Sequence, residues 1–69
     1  MEVKSSLKVY NLNTQNDIMA IREAISSNEG IIACEVSISK KEVSIVYDNR
    51  VINIDSIINS LENSGYSVE

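Results

Sequence analysis

The sequence has few of the residues with which proteins usually carry out chemistry. It contains no histidine and no proline, and its only cysteine is Cys34. The absence of histidine removes the most common general base and the most common nitrogen ligand. A single cysteine excludes an internal disulfide and a multi-thiolate zinc site. We therefore expect a protein that is not an enzyme and that works in the reducing environment of the cytoplasm.

Charge and hydrophobicity exclude two classes of partner. The net charge of -4 argues against nucleic acid or an anionic lipid surface, and the three tyrosines are the only aromatic residues. The apolar runs are far shorter than the roughly 20 residues that a transmembrane helix needs. We expect no nucleic-acid binding and no membrane insertion, whereas the composition leaves the oligomeric state open.

The periodicity of the apolar residues predicts six secondary-structure elements in a single domain, residues 1–69. Alternation predicts strands over 3–10, 32–38 and 43–47, and a short last strand over 66–68. Helical spacing predicts one helix over 18–25 and a second that begins after the N-cap Asn53 and ends at Gly65. A two-residue turn at Lys40-Lys41 is expected to join the second and third strands.

The two halves of the chain repeat the same pattern of core positions. Adding 36 to the numbers of Leu7, Ile21 and Ile25 gives the positions of Val43, Ile57 and Leu61. The pattern predicts an α+β, ferredoxin-like βαββαβ fold, in which a four-stranded antiparallel sheet carries two helices on one face. The predicted core comprises Leu7, Val9, Ile18, Ile21, Ile25, Cys34, Val36, Ile38, Val43, Ile45, Ile54, Ile57, Ile58 and Leu61.

Several short segments together resemble a known family. They are the segments at 7–9, 21–25, 30–31, 43–48 and 65–66, and they cover nearly the whole chain. In type and spacing they are similar to the heavy-metal-associated domain of copper chaperones and of the metal-binding modules of P-type ATPases. The resemblance implies a place in metal trafficking and a protein partner such as a metal-transporting ATPase. We expect no cofactor, and a heavy metal ion such as copper is possible only through this resemblance.

The chain departs from this family at the metal loop. The family carries a methionine followed by Cys-x-x-Cys, and the matching positions here are Leu12, Thr14 and Asp17. Thr14 and Asp17 have the T-x-x-D spacing of a helix capping box, which is the favoured interpretation of both residues. Cys34 is expected to point into the core, and Tyr66 to cover the end of the first helix. We therefore expect no metal ligands at these positions.

The residues leave several functions open. The favoured hypothesis is a protein docking or regulatory module that has lost the thiol site. The alternative is a metal-ion chaperone that uses non-cysteine ligands or a site shared between chains. Acylphosphatases share the predicted plan, but they need an arginine in the first loop to hold phosphate, and no residue of 11–17 is basic. An amino-acid-sensing domain of this topology would have to dimerise.

Overall fold

The computed structural model describes all 69 residues and contains three strands and two helices. In chain order the elements are β1 (Glu2–Lys8), α1 (Gln15–Ser26), β2 (Ile31–Ser37), β3 (Glu42–Asp48) and α2 (Ile54–Asn63). As predicted, α2 begins after Asn53, whose side-chain oxygen accepts a hydrogen bond from the Ser56 amide at 2.9 Å. Neither helix has the length and apolar character that crossing a membrane requires.

The sheet has three strands, in the order β1-β3-β2, and both pairings are antiparallel. The predicted fourth strand is therefore wrong, because the last residues contribute only an isolated bridge between Val9 and Val68. Two backbone hydrogen bonds of 3.0 Å flank this bridge, from Tyr10 N–H to Ser67 O and from Glu69 N–H to Lys8 O.

The side chain of Asn11 accounts for the early end of this pairing. Its Oδ1 accepts a hydrogen bond from the Ser67 amide at 2.9 Å, and its Nδ2 donates to Gly65 O, also at 2.9 Å. Gly65 has a φ of +93°, a conformation that glycine adopts readily. The Asn11 side chain therefore occupies the carbonyl of Gly65 and the amide of Ser67. In a continued strand pairing, backbone groups of the segment after β1 would bind them instead.

The predicted alternation of β2 fails at its start. A bulge between Ile31 and Ala33 shifts the register against β3, and Ile32, which the pattern places inward, is exposed. Beyond the bulge, Cys34 and Val36 face the core as expected, although both are only half-buried. The bulge arises in a run of two isoleucines, either of which can satisfy the core.

The connection between β2 and β3 also differs from the prediction. Ser37 pairs with Glu42, so the loop comprises the four residues 38–41 rather than Lys40-Lys41 alone. Lys41 N–H donates to Ile38 O at 3.1 Å, and Lys41 O accepts from Val9 N–H at 2.8 Å. Lys41 has a φ of 56° and is the only non-glycine residue with a positive φ. These bonds fix its backbone in a conformation that costs a lysine about 1–2 kcal/mol.

The core lies between the helices and one face of the sheet. Most of the predicted core is confirmed, but six of its residues are half-buried at the margin: Ile18, Cys34, Val36, Ile38, Ile54 and Ile58. Two residues outside the predicted core are buried, namely Leu12 and Tyr47. The fully buried residues are Val9, Leu12, Ile21, Ile25, Val43, Ile45, Ile57 and Leu61.

Candidate functional site: the loop before the first helix

The loop between β1 and α1 is anchored by an apolar residue. Leu12 has no solvent exposure, and its amide donates to Val9 O at 3.4 Å. Leu12 stands where the resembled family has methionine, and here its side chain belongs to the hydrophobic core. The buried side chain of Leu12 therefore anchors the loop to the core, and the polar residues of the loop lie at the surface.

The predicted capping box is confirmed. Thr14 is the N-cap of α1, and its Oγ1 accepts a hydrogen bond from Asp17 N–H at 3.2 Å. In return, Asp17 Oδ2 accepts bonds of 2.9 Å from the amides of both Thr14 and Asn13. These reciprocal bonds satisfy amide groups that would otherwise lack partners at the start of the helix.

The second oxygen of Asp17 is also used. Tyr66 O–H donates to Asp17 Oδ1 at 2.9 Å, so the hydroxyl of the C-terminal segment closes over the helix start. The hydrogen bonds from the backbone of Asn13 and Thr14, followed by the one from Tyr66, hold the pKa of Asp17 below its ordinary value. Tyr66 is expected to cover the end of the first helix as ordinary core; in the structure it is half-buried, and its hydroxyl binds the first turn of that helix.

Lys41 reaches the same loop from the opposite side. Its Nζ donates to Leu12 O at 2.6 Å and makes a second hydrogen bond to Asn13 Oδ1. The sequence pattern does not mark Lys41 as part of the site, because a lysine in a turn is usually solvated. No local pattern could have identified it, since 29 positions separate Lys41 from Leu12.

The structure does not bring together a set of metal ligands. It contains no group of three or more histidine, cysteine, aspartate or glutamate residues that could hold a metal ion. Cys34 lies in β2 opposite Ile45 and is half-buried. Burial raises the pKa of its thiol, although the positive charge of Arg22 acts in the opposite direction. The loop positions Leu12, Thr14 and Asp17 thus serve packing and helix capping.

The fold and this loop define the class of protein. Two helices on one face of an antiparallel sheet, with a loop at the start of α1, form a ferredoxin-like α+β domain. The model of the heavy-metal-associated domain matches residues 6–67. The chain belongs to the heavy-metal-associated domain family.

Solved structures show the same fold at low sequence identity. Oxidized MerP from Ralstonia metallidurans superposes with a TM-score of 0.94 at 16% identity, over 100% of this chain and 96% of that chain. The CopZ metallochaperone gives 0.94 at 21% identity, over 97% of this chain and 100% of that one. The yeast copper transporter domain Ccc2a gives 0.87 at 24% identity, over 96% and 90%. No curated protein sequence matches the chain.

Proposed function

We propose that this domain is a docking or regulatory module of the metal-trafficking family that binds its protein partner without carrying a metal ion. The observation that carries the proposal is the state of the loop before α1. Both oxygens of Asp17 accept hydrogen bonds, and the hydroxyl of Thr14 caps the helix. Each oxygen that accepts a hydrogen bond within the chain has fewer lone pairs left for a metal ion, and Asp17 Oδ2, which accepts two hydrogen bonds, has none free.

The alternative, a chaperone that binds metal through oxygen ligands, has less support. Calcium requires six to eight oxygen ligands and magnesium usually keeps several waters, whereas the loop offers one carboxylate, that of Asp17. A metal ion bound through Asp17 Oδ2 would displace a hydrogen bond of the loop, because that oxygen already accepts two. A site shared between two copies would meet the same competition in each copy.

We further propose that the partner is a domain of a metal-transporting ATPase and that it contacts the surface beside the loop. Met19, in α1 near its start, is 67% exposed, and Tyr10, at the start of the loop, is 53% exposed. Exposed methionine and aromatic side chains are enriched at the centres of protein interfaces. The module is not an enzyme, and its cytoplasmic location stays a prediction.

Calorimetric titration tests this proposal. The chain, purified without chelator and examined for bound metal by native mass spectrometry, is titrated with the N-terminal metal-binding domain of a copper-transporting ATPase. We expect the same dissociation constant with copper(I) and with excess chelator, and weaker binding by Met19→Ser. Val51→Ser is the matched control, because Val51 is 55% exposed but lies beyond β3.

Two results would contradict the proposal. One is binding that requires copper(I), and the other is a stoichiometric metal ion in the purified protein that disappears in Asp17→Asn. The second result would support the oxygen-ligand chaperone. Equal binding by Met19→Ser and the wild-type chain would contradict the proposed contact surface, but not the proposal that docking is independent of metal.

A further inference from the structure

The loop before α1 already holds a cation, and that cation belongs to the chain itself. The Lys41 ammonium donates to two oxygens of the loop, Leu12 O and Asn13 Oδ1. Hydrogen bonds from a charged donor are shorter and stronger than neutral ones. Lys40, the preceding residue, makes no side-chain hydrogen bond, so the contact is specific to one of two adjacent lysines.

The backbone of Lys41 gives an independent indication of a role. Its φ of 56° is unfavourable for any residue with a side chain, and glycine would adopt it without strain. Strained backbone conformations persist where the surrounding structure compensates for them, and they are frequent at functional positions. Here the backbone hydrogen bonds of the turn hold this conformation, and the side chain at this position carries an ammonium that reaches the loop, which a glycine cannot supply.

The loop oxygens connect this cation to the rest of the site. Asn13 receives the ammonium on its side chain, and its amide donates to Asp17 Oδ2 at 2.9 Å. Asp17 in turn accepts from Tyr66. A continuous set of hydrogen bonds therefore runs from the turn before β3, through the loop, to the C-terminal segment.

We propose that the loop is a binding site for a primary ammonium ion, formed by the carbonyl oxygen of Leu12 and the side-chain oxygen of Asn13 and filled by Lys41. The inference rests on the proposed function in one respect only. It would place a fixed ammonium beside the Asp17 carboxylate in the docking loop, and a partner could recognise this charge pattern without metal. The site itself is independent of any partner.

Chemical rescue tests the site directly. In Lys41→Gly, which suits the positive φ, the loop loses its cation, and we expect the amides of Asn13 and Thr14 to exchange with solvent about tenfold faster. Propylammonium chloride, titrated against sodium chloride at constant ionic strength, should restore slow exchange in a concentration-dependent and saturable manner. Lys40→Gly is the control and should change neither amide.

Each remaining outcome overturns the inference. Unchanged exchange in Lys41→Gly would mean that the ammonium does not hold the loop. Faster exchange that propylammonium does not reverse, or that sodium chloride reverses equally well, would show that Lys41 only stabilises the loop and that no ammonium-binding site exists. Lys41→Met, which keeps most of the aliphatic chain and loses the charge, must show the same faster exchange as Lys41→Gly before any propylammonium is added, because otherwise packing rather than charge holds the loop. None of these results affects the calorimetric test of metal-independent docking.

Discussion

Restoring two cysteines at the start of α1 should rebuild a soft-metal site. Thr14 and Asp17 are the N-cap and the third residue of the helix, and each side chain already reaches the backbone of the other. Two thiols placed there by Thr14→Cys and Asp17→Cys would lie on the same side of the first turn. The helix N-terminus lowers thiol pKa and so favours the thiolates that copper(I) and cadmium bind.

The structure sets the size of the expected effects. Losing the Thr14 cap costs about 1 kcal/mol, which lowers the melting temperature of a domain of this size by about 4–8 °C. Metal at 100 times its dissociation constant adds about 2.7 kcal/mol, because it binds the folded site and not the unfolded chain. The metal-loaded double variant should therefore melt roughly 10–20 °C above its own metal-free form.

The assay is thermal unfolding followed by circular dichroism, with and without copper(I) or cadmium under reducing conditions. The wild-type chain and each single-cysteine variant are the controls and should gain far less from the metal. A double variant that folds and yet shows no metal-dependent rise in melting temperature would refute the reasoning. It would mean that the two positions do not present their side chains to a common point, whatever the family of the chain.

Four further predictions concern stability and reactivity. Ile57→Ala, at a fully buried position, should cost about 2–5 kcal/mol in urea unfolding, and a near-wild-type midpoint would contradict the assigned core. Gly30→Ala should destabilise the domain more than its control Gly65→Ala. Both glycines have a positive φ, but only at Gly30 would a Cβ meet a neighbouring atom, Val51 Cγ1 at 2.9 Å. Equal melting temperatures of the two variants would contradict this prediction. Asp17→Asn should lower the melting temperature at pH 7, and the difference from the wild-type chain should shrink below about pH 4. The reason is that the pKa of Asp17 is depressed in the folded state. The stabilisation by its carboxylate is therefore present above the unfolded-state pKa and is lost as the pH falls through the folded-state pKa. The Cys34 thiol should react slowly with a thiol reagent in the native state and rapidly in denaturant, since burial raises its pKa; fast native reaction would show that the strand opens.

Local sequence signals predicted the parts of the structure that depend on neighbouring residues. The T-x-x-D spacing is sufficient to place the cap of α1, because both partners lie within one helical turn. Asn53 likewise predicts the start of α2. The spacing of Ile21 and Ile25 on one helical face predicts their burial, which the structure confirms.

The features that the sequence did not predict depend on contacts between distant segments. The contact between Lys41 and Leu12 spans 29 positions, and nothing near Lys41 distinguishes it from Lys40. The bulge in β2 lies at Ile31-Ile32, where two equally apolar neighbours leave the register undetermined. The fourth strand fails because a side chain, that of Asn11, competes for the backbone groups of the last residues.

The single bridge that replaces the fourth strand leaves most of the outer edge of β1 without a backbone partner. Since Lys8 and Tyr10 direct backbone groups towards the C-terminal segment, alternation along an antiparallel strand directs those of Glu2, Lys4 and Ser6 outward as well. An open strand edge invites pairing with another copy, and charged side chains, lysine above all, oppose it. In a symmetric pairing centred on Lys4, two like charges would face each other. Lys4 therefore opposes the pairing of this edge with a second copy of the chain, and high salt, which screens its charge, should weaken that opposition.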